Sequence, residues 1–229
     1  MSGGTRGGYI HVMSSERGWD LAMDHVVIAV DDLDAASTEF QDRYGLASVP
    51  GGRHRGLGTG NRIIPLGNST YIEMIAIVDE EEAAMSPLAQ VVRTFASSDS
   101  LGMLCLRTNS IEEVARSLGE EPISMSRDRP GGDPVRWQLA GFMSTLQDPS
   151  LPFFIRWEMA PEDHPGAAEV EHPAGEVNLE WVEIAADAAA IGERLGDHAL
   201  DIRVTEGLPG VRAIGLRSGS VPLIIRGAS

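Results

Sequence analysis

Lysine is absent from this 229-residue chain, and cysteine occurs once, as Cys105. All 18 basic residues are therefore arginine. Without lysine, the chain cannot form the Schiff base of a lysine-dependent enzyme or provide the phosphate-binding lysine of a P-loop. A single cysteine excludes an internal disulfide, an all-cysteine zinc site and a cysteine-ligated iron–sulfur cluster. These absences leave histidine, carboxylate and arginine as the chemically active side chains.

Positive charge and long apolar runs are also scarce. The chain has 34 acidic residues, which gives a formal net charge of -16. Because this charge opposes that of a phosphate backbone, we expect no general binding to nucleic acid. No run approaches the roughly 18 apolar residues of a membrane span, and the residues before Asp20 lack the apolar block of a signal peptide. The sequence therefore predicts a cytoplasmic protein that does not bind membranes.

A regular order of elements begins at Asp24. The β-branched run 24–30 predicts a strand, and the aspartates 31–32 can cap the helix that follows. A glycine-rich stretch comes next, and then two further strands are predicted over 62–66 and 71–77. The first unit thus has the order strand, helix and about three strands.

The same order recurs twice, in copies that begin at His25, Met103 and Glu180. The three predicted helices have matching apolar faces, namely Leu33/Ala36/Phe40, Ile111/Val114/Leu118 and Ala188/Ile191/Leu195. The last strands of the second and third copies, 150–156 and 220–226, both begin Ser-x-Pro and end in arginine. We therefore predict an α+β protein built from repeated βαβββ modules.

These patterns predict four regions. They are a flexible N-terminal extension over 1–22, a domain of two modules over 23–158 (23–78 and 101–158), an acidic proline-rich linker over 159–176, and a third βαβββ-like module over 177–229. Modules of this kind pair, and an unpaired third module would leave an apolar face or edge exposed. We expect it either to cover the other two modules or to pair across a homodimer.

Several motifs occur in a recognisable order. Asp24-His25 opens the first strand, the glycine-rich stretch from His54 through Asn61-Arg62 leads to Tyr71-Ile72-Glu73, and segments 151–157 and 172–175 follow. This set resembles the glyoxalase-like domain family of the vicinal-oxygen-chelate (VOC) superfamily, which includes glyoxalase I, bleomycin-resistance proteins and extradiol dioxygenases. The resemblance implies paired modules whose curved mixed sheets enclose a pocket, with the helices outside.

The resemblance also implies a divalent metal ion held by inward-facing side chains of the first and last strands. His25 matches the first-strand ligand and Glu73 the last-strand ligand, a pair that suits zinc, nickel, manganese or iron. Met103 and Phe154 occupy the matching positions of the second copy, so the ligand set is incomplete. An alternative interpretation is a buried His25–Glu73 hydrogen bond without a metal. Glu73 is also a candidate catalytic base for a proton next to a carbonyl group.

The candidate ligand-binding residues are His54, Thr59, Asn61, Arg62 and His172. The segment 43–62 contains arginines and no acid, which favours either an anionic substrate or neutralisation of the protein's own carboxylates. Thr59 and Asn61 match the family motif, although turn chemistry is an alternative explanation for them. His172 either reaches the pocket from a loop or is simply exposed.

The combined interpretation is a metal-binding, glyoxalase-like protein whose ligand is a small oxygenated molecule. This ligand is anionic if the arginines of segment 43–62 bind it, and need not be if they neutralise the protein's own carboxylates. An enzyme of this kind would carry out metal-assisted lyase or isomerase chemistry. The alternative is a non-catalytic protein that binds and sequesters a small molecule, as bleomycin-resistance proteins do.

Overall fold

The computed structural model describes residues 18–97, 101–127 and 135–227. Most of the predicted N-terminal extension, residues 1–17, lies outside these ranges. Residues 18–22 contact the second module: Trp19 packs edge-on against Phe154, and the Asp20 carboxylate accepts hydrogen bonds from Thr108 and Asn109. The predicted α+β class with βαβββ units is confirmed.

The first segment contains five elements, namely β1 (Ala22–Ala29), α1 (Leu33–Tyr44), β2 (Val49–His54), β3 (Thr59–Leu66) and β4 (Thr70–Ile77). Helix α1 begins where the Asp32 side chain accepts hydrogen bonds from two backbone amides, and it ends at Gly45 with a φ of 67°, which favours glycine. Strand β4 pairs with β1 in parallel, and β3 and β2 follow in antiparallel order.

The second segment repeats this arrangement after two helices, α2 (Glu80–Ala83) and α3 (Pro87–Ala96). Its elements are β5 (Gly102–Arg107), α4 (Ile111–Ser117), β6 (Ile123–Arg127), β7 (Val135–Ala140), α5 (Phe142–Gln147) and β8 (Phe153–Trp157). Strand β8 pairs with β5 in parallel, and β7 and β6 follow in antiparallel order. Strands β1 and β5 join the two halves as an antiparallel pair, with His25 opposite Cys105.

The third segment has the same order of elements but a different pairing. It contains β9 (Val177–Ala185), α6 (Ala188–Leu195), β10 (Ile202–Thr205), β11 (Gly210–Ser218) and β12 (Val221–Arg226). Here β10 is the parallel neighbour of β9, β11 lies on the other side of β9, and β12 pairs with β11. Val211 in β11 also pairs with Gly102 in β5, which extends the structure into one 12-stranded sheet.

Two apolar clusters cover the sheet. The larger cluster contains residues of all three segments, among them Ile72, Leu104 and Ile184. The apolar face of the third segment is therefore buried within the chain itself. The smaller cluster lies between the first two segments and includes Val27 and Phe153. No helix in the three described ranges is long and apolar enough to cross a membrane.

Candidate functional site

A pocket lies between the two halves of the sheet that β1 and β5 join. Four polar side chains, His25, His54, Asn61 and Glu73, line one part of it. Much of the remaining wall is apolar and includes Met103, Met125, Trp137, Phe142, Phe153 and Ile155. The pocket has a cavity volume of about 90 Å³, which is sufficient for several water molecules. It can therefore hold a small organic molecule whose polar groups meet the four polar side chains.

Glu73 is the centre of the polar group. It lies in β4, is 9% exposed, and its Oε1 accepts a hydrogen bond of 2.5 Å from the Asn61 amide. His54 Nε2 lies 3.7 Å from the same oxygen, whereas His25 Nε2 lies 3.5 Å from Oε2. Each oxygen of the carboxylate thus faces a different histidine. The sequence prediction named these four residues, and the structure brings them together.

Asp24 fixes the orientation of the His25 ring. This aspartate is fully buried, and its Oδ1 lies 2.7 Å from His25 Nδ1. Its Oδ2 accepts hydrogen bonds from Trp157 Nε1 at 3.0 Å and from the Arg107 guanidinium at 3.3 Å, and His164 Nε2 lies 3.2 Å away. All of these partners are suited to an ionised carboxylate.

The ionisation of Asp24 determines which His25 nitrogen carries the hydrogen. Burial alone would raise the pKa of Asp24, but hydrogen bonds from His164 and His25 outweigh burial and keep this pKa well below its ordinary value. An ionised Asp24 requires a hydrogen on His25 Nδ1. In the neutral ring, the lone pair is then on Nε2, which is the nitrogen that points towards Glu73.

His164 is a contributor that the sequence prediction left out. It lies between two short 3₁₀ turns of the linker, and its Nδ1 accepts a hydrogen bond from the Gly166 amide. This bond directs Nε2 towards Asp24. The sequence contains one signal for such a contributor, namely the acidic residue Asp24 directly before His25. A buried acid at this position needs hydrogen-bond donors from elsewhere in the chain.

The other predicted ligand-binding residues do not line this pocket. Thr59 Oγ1 lies 2.9 Å from His54 Nδ1, so Thr59 orients His54. Arg62 donates hydrogen bonds to Ser48 and Asp34. His172 Nδ1 accepts a hydrogen bond from the Ala47 amide, and Nε2 donates one to the Pro65 carbonyl. His172 therefore attaches the linker to the first module.

The second half of the sheet presents apolar side chains where the family pattern would place ligands. Alignment of the repeats matched Phe154 with Glu73, and this match is wrong. Phe154 pairs with Leu106 and faces the larger core cluster, whereas Phe153 and Ile155 face the pocket. Successive residues of a strand point to opposite faces, so a shift of one position exchanges the two.

In the described part of the chain, one group of potential metal ligands consists of Asp24, His25 and Cys105. Their donor atoms lie within 4.8 Å of one another. This group is poorly suited to a metal. Both Asp24 oxygens already have partners, and burial, followed by the charges of Asp24 and Glu73, raises the pKa of the Cys105 thiol well above its ordinary value. A metal requires the thiolate.

His25 and Glu73 fit a metal better. Two ligands that each lie about 2.1 Å from a tetrahedral ion are about 3.4 Å apart, and His25 Nε2 lies 3.5 Å from Glu73 Oε2. These atoms therefore suit two positions of a shared ion. The remaining positions would be left to water or to oxygens of a ligand.

The model of a family described as a glyoxalase-like domain matches residues 23–197. This range includes the first two segments, the linker and the start of the third segment. No curated protein matches the sequence.

Solved structures provide likenesses at low sequence identity. A hypothetical protein from Staphylococcus aureus superposes with a TM-score of 0.65 at 19% identity, covering 88% of this chain and 92% of that one. A methylmalonyl-CoA epimerase from Mycobacterium tuberculosis superposes with a TM-score of 0.41 at 21% identity, covering 61% of this chain and 89% of that one. The first superposition shows a shared fold over most of both chains.

Proposed function

We propose that this chain, which belongs to the glyoxalase-like domain family, is an enzyme. Its reaction moves a proton at a carbon next to a carbonyl group. Its substrate is a small oxygenated molecule, and the reaction is of the lyase or isomerase kind. The observation that supports this most directly is the position of Glu73, a carboxylate fixed by Asn61 between two histidines in a largely apolar pocket.

In this proposal, Glu73 is the base that removes the proton. The hydrogen bond from Asn61 holds Oε1 in place, and fixed geometry is what a general base requires. His54 Nε2, 3.7 Å from the same oxygen, is placed to take up that proton or return it at a neighbouring atom. Thr59 holds the opposite side of the His54 ring.

A divalent ion such as zinc, nickel, manganese or iron would be held by His25 Nε2 and Glu73 Oε2, and when bound it would polarise the substrate carbonyl. The role of Asp24 is compatible with this arrangement, because a hydrogen held on Nδ1 leaves the Nε2 lone pair available. Glu73 Oε1 would remain with Asn61 and His54.

The test is hydrogen–deuterium exchange at the carbon next to a carbonyl. Hydroxyacetone and 2-hydroxyacetophenone would be incubated with the protein in D₂O and followed by proton NMR. We expect enzyme-dependent exchange, and we expect Glu73→Gln to slow it by about 100-fold or more. Glu193→Gln makes the same chemical change at an exposed position of α6 and should leave the exchange rate unchanged. Full exchange in Glu73→Gln would contradict the assignment of Glu73 as the base.

A non-catalytic binding protein is the alternative function. The observation that favours it is the apolar character of the second half, where Met103, Phe153 and Ile155 face the pocket. This alternative predicts that a probe raises the melting temperature of the protein while no exchange occurs. The same NMR samples and a thermal-shift measurement therefore separate the two functions.

A further inference from the structure

We infer that the molecule bound in this pocket has an uncharged aromatic group attached to its oxygenated end. The inference rests on the proposed function for the oxygenated end, which lies at Glu73 and the two histidines. The aromatic end is assigned from the apolar part of the pocket wall, and the absence of negative charge from the positions of the arginines.

Aromatic rings and methionines form that wall. Trp137 and Trp157 lie 5.6 Å apart between ring centroids, and Phe142 meets Phe153 edge to face at 5.4 Å. Met103 also lines the pocket. Edge-to-face geometry and polarisable sulfur are the contacts that a further aromatic ring forms favourably. A ligand with only a methyl group at this position would leave much of the wall without a contact.

No arginine is among the described residues that line the pocket, so the wall offers an anionic group no guanidinium. The titratable side chains that line it, His25, His54 and Glu73, belong to its polar part. Arg53, next to His54 in sequence, pairs with Asp79 at 2.5 Å and with Glu82 at 3.2 Å.

Two further arginines of the first two segments are also engaged elsewhere. Arg62 pairs with Asp34, and Arg107 donates to Asp24 and to the Ser69 carbonyl. Against the described residues, a carboxylate or phosphate on the far end of a ligand would therefore lose its hydration without gaining a guanidinium partner. The basic segment of the sequence neutralises the protein's own acids and does not form the tail subsite.

A phenyl group joined to a hydroxyacetyl group has the inferred arrangement, because it places both oxygens at one end and the ring at the other. The apolar ring can then lie against Trp137 while the oxygens lie at Glu73.

The experiment varies the tail and keeps the hydroxyketone head constant. The four probes are 2-hydroxyacetophenone, hydroxyacetone, 5-hydroxy-4-oxopentanoate and the amide of that acid, and their Kd values would be measured by calorimetry. We expect 2-hydroxyacetophenone to bind about tenfold or more tightly than hydroxyacetone, because the ring buries additional apolar area. We expect the amide to bind about tenfold or more tightly than the carboxylate. Equal affinity within either pair, or tighter binding of the carboxylate, would overturn the inference.

Two tryptophan variants locate the aromatic subsite. Trp137→Ala should weaken binding of 2-hydroxyacetophenone by about tenfold while changing that of hydroxyacetone by less than about twofold. Trp181→Ala is the matched control, because Trp181 packs against Arg203 in the third segment, away from the pocket. An equal loss for both probes in Trp137→Ala would contradict a ring-binding role for Trp137.

The binding series tests the aromatic subsite and the exchange assay tests the proton transfer, so each hypothesis can be rejected without the other. Discrimination among the four probes without exchange of any of them would support the aromatic subsite and reject the proposed proton transfer. Exchange that depends on Glu73 but shows no preference for the ring or for the uncharged tail would support the proposed function and reject the subsite.

Discussion

Asp24 accepts hydrogen bonds from four parts of the chain, namely His25 in β1, Arg107 in β5, Trp157 in β8 and His164 in the linker. A buried carboxylate of this kind is stable only when its donors remain in place. Its connection to His25 therefore links the position of a pocket residue to the second module and to the linker.

Replacement of this carboxylate should destabilise the protein in a pH-dependent way. Asp24→Asn removes the charge that four donors surround, and we expect the free energy of unfolding at pH 7 to fall by about 2–4 kcal/mol. Because the folded-state pKa of Asp24 lies below the ordinary value of 3.8, its contribution is present above that pH and is lost as the pH falls further.

The measurement is urea unfolding of both proteins at pH 7 and at pH 3. The difference between wild type and Asp24→Asn should be smaller at pH 3. Asp42→Asn, at an exposed position of α1, should change the unfolding free energy by less than about 0.5 kcal/mol at either pH. A constant difference between wild type and Asp24→Asn at the two pH values would show that Asp24 does not titrate as described.

At this scale, the sequence was sufficient to group His25, His54, Asn61 and Glu73, because the order of the motifs resembles that of the glyoxalase-like domain family. It was insufficient for the surroundings of Asp24. Trp157 and His164 approach it across 133 and 140 residues, and no local pattern encodes such a contact.

Among the elements, the linker is the least regular and still has defined attachments. His164 contacts Asp24, His172 bonds to Ala47 and Pro65, and the Ala174 amide donates to the Gly45 carbonyl. Pro165 lines the pocket. The segment 161–176 therefore contributes to the pocket wall and is attached to the first module.

Removal of the His172 ring should loosen this segment. In His172→Ala, the Ala47 amide and the Pro65 carbonyl lose their partner, and we expect a loss of about 1–2 kcal/mol in unfolding free energy. Backbone hydrogen exchange of residues 166–175, measured by mass spectrometry, should become faster, while exchange in β9 should not. His198→Ala, outside the linker, is the control. Unchanged protection of 166–175 in His172→Ala would mean that the other contacts are sufficient to hold the linker.

The βαβββ order was predicted correctly apart from helix α5, which lies between β7 and β8, whereas strand neighbours were not determined by it. The third segment has the order βαβββ, yet β10 lies beside β9, while the corresponding strand β2 lies three places from β1. Periodicity identifies which face of a strand is buried, but it does not identify the adjacent strand. The same limitation led to the incorrect match of Phe154 with Glu73.

Across the whole molecule, the third segment is joined to the rest by a shared core and by one buried cation. Arg194 of α6 donates to the carbonyls of Pro152 and Gly141, and its guanidinium lies 5.5 Å from the centroid of the Phe154 ring. Burial lowers the pKa of Arg194, because the charged guanidinium loses hydration. The planar guanidinium satisfies two carbonyls of the second segment at once.

We expect the chain to unfold in a single transition and Arg194→Ala to weaken it. The variant leaves the Pro152 and Gly141 carbonyls without donors, so the free energy of unfolding should fall by about 3 kcal/mol. In urea titrations, far-UV circular dichroism and tryptophan fluorescence of the wild type should coincide, since the larger core cluster contains residues of all three segments. Arg226→Ala, at an exposed position of β12, should shift the midpoint little. Separate transitions in the wild type would instead establish the third segment as an independent folding unit, and the junction at Arg194 would then act only as a docking contact.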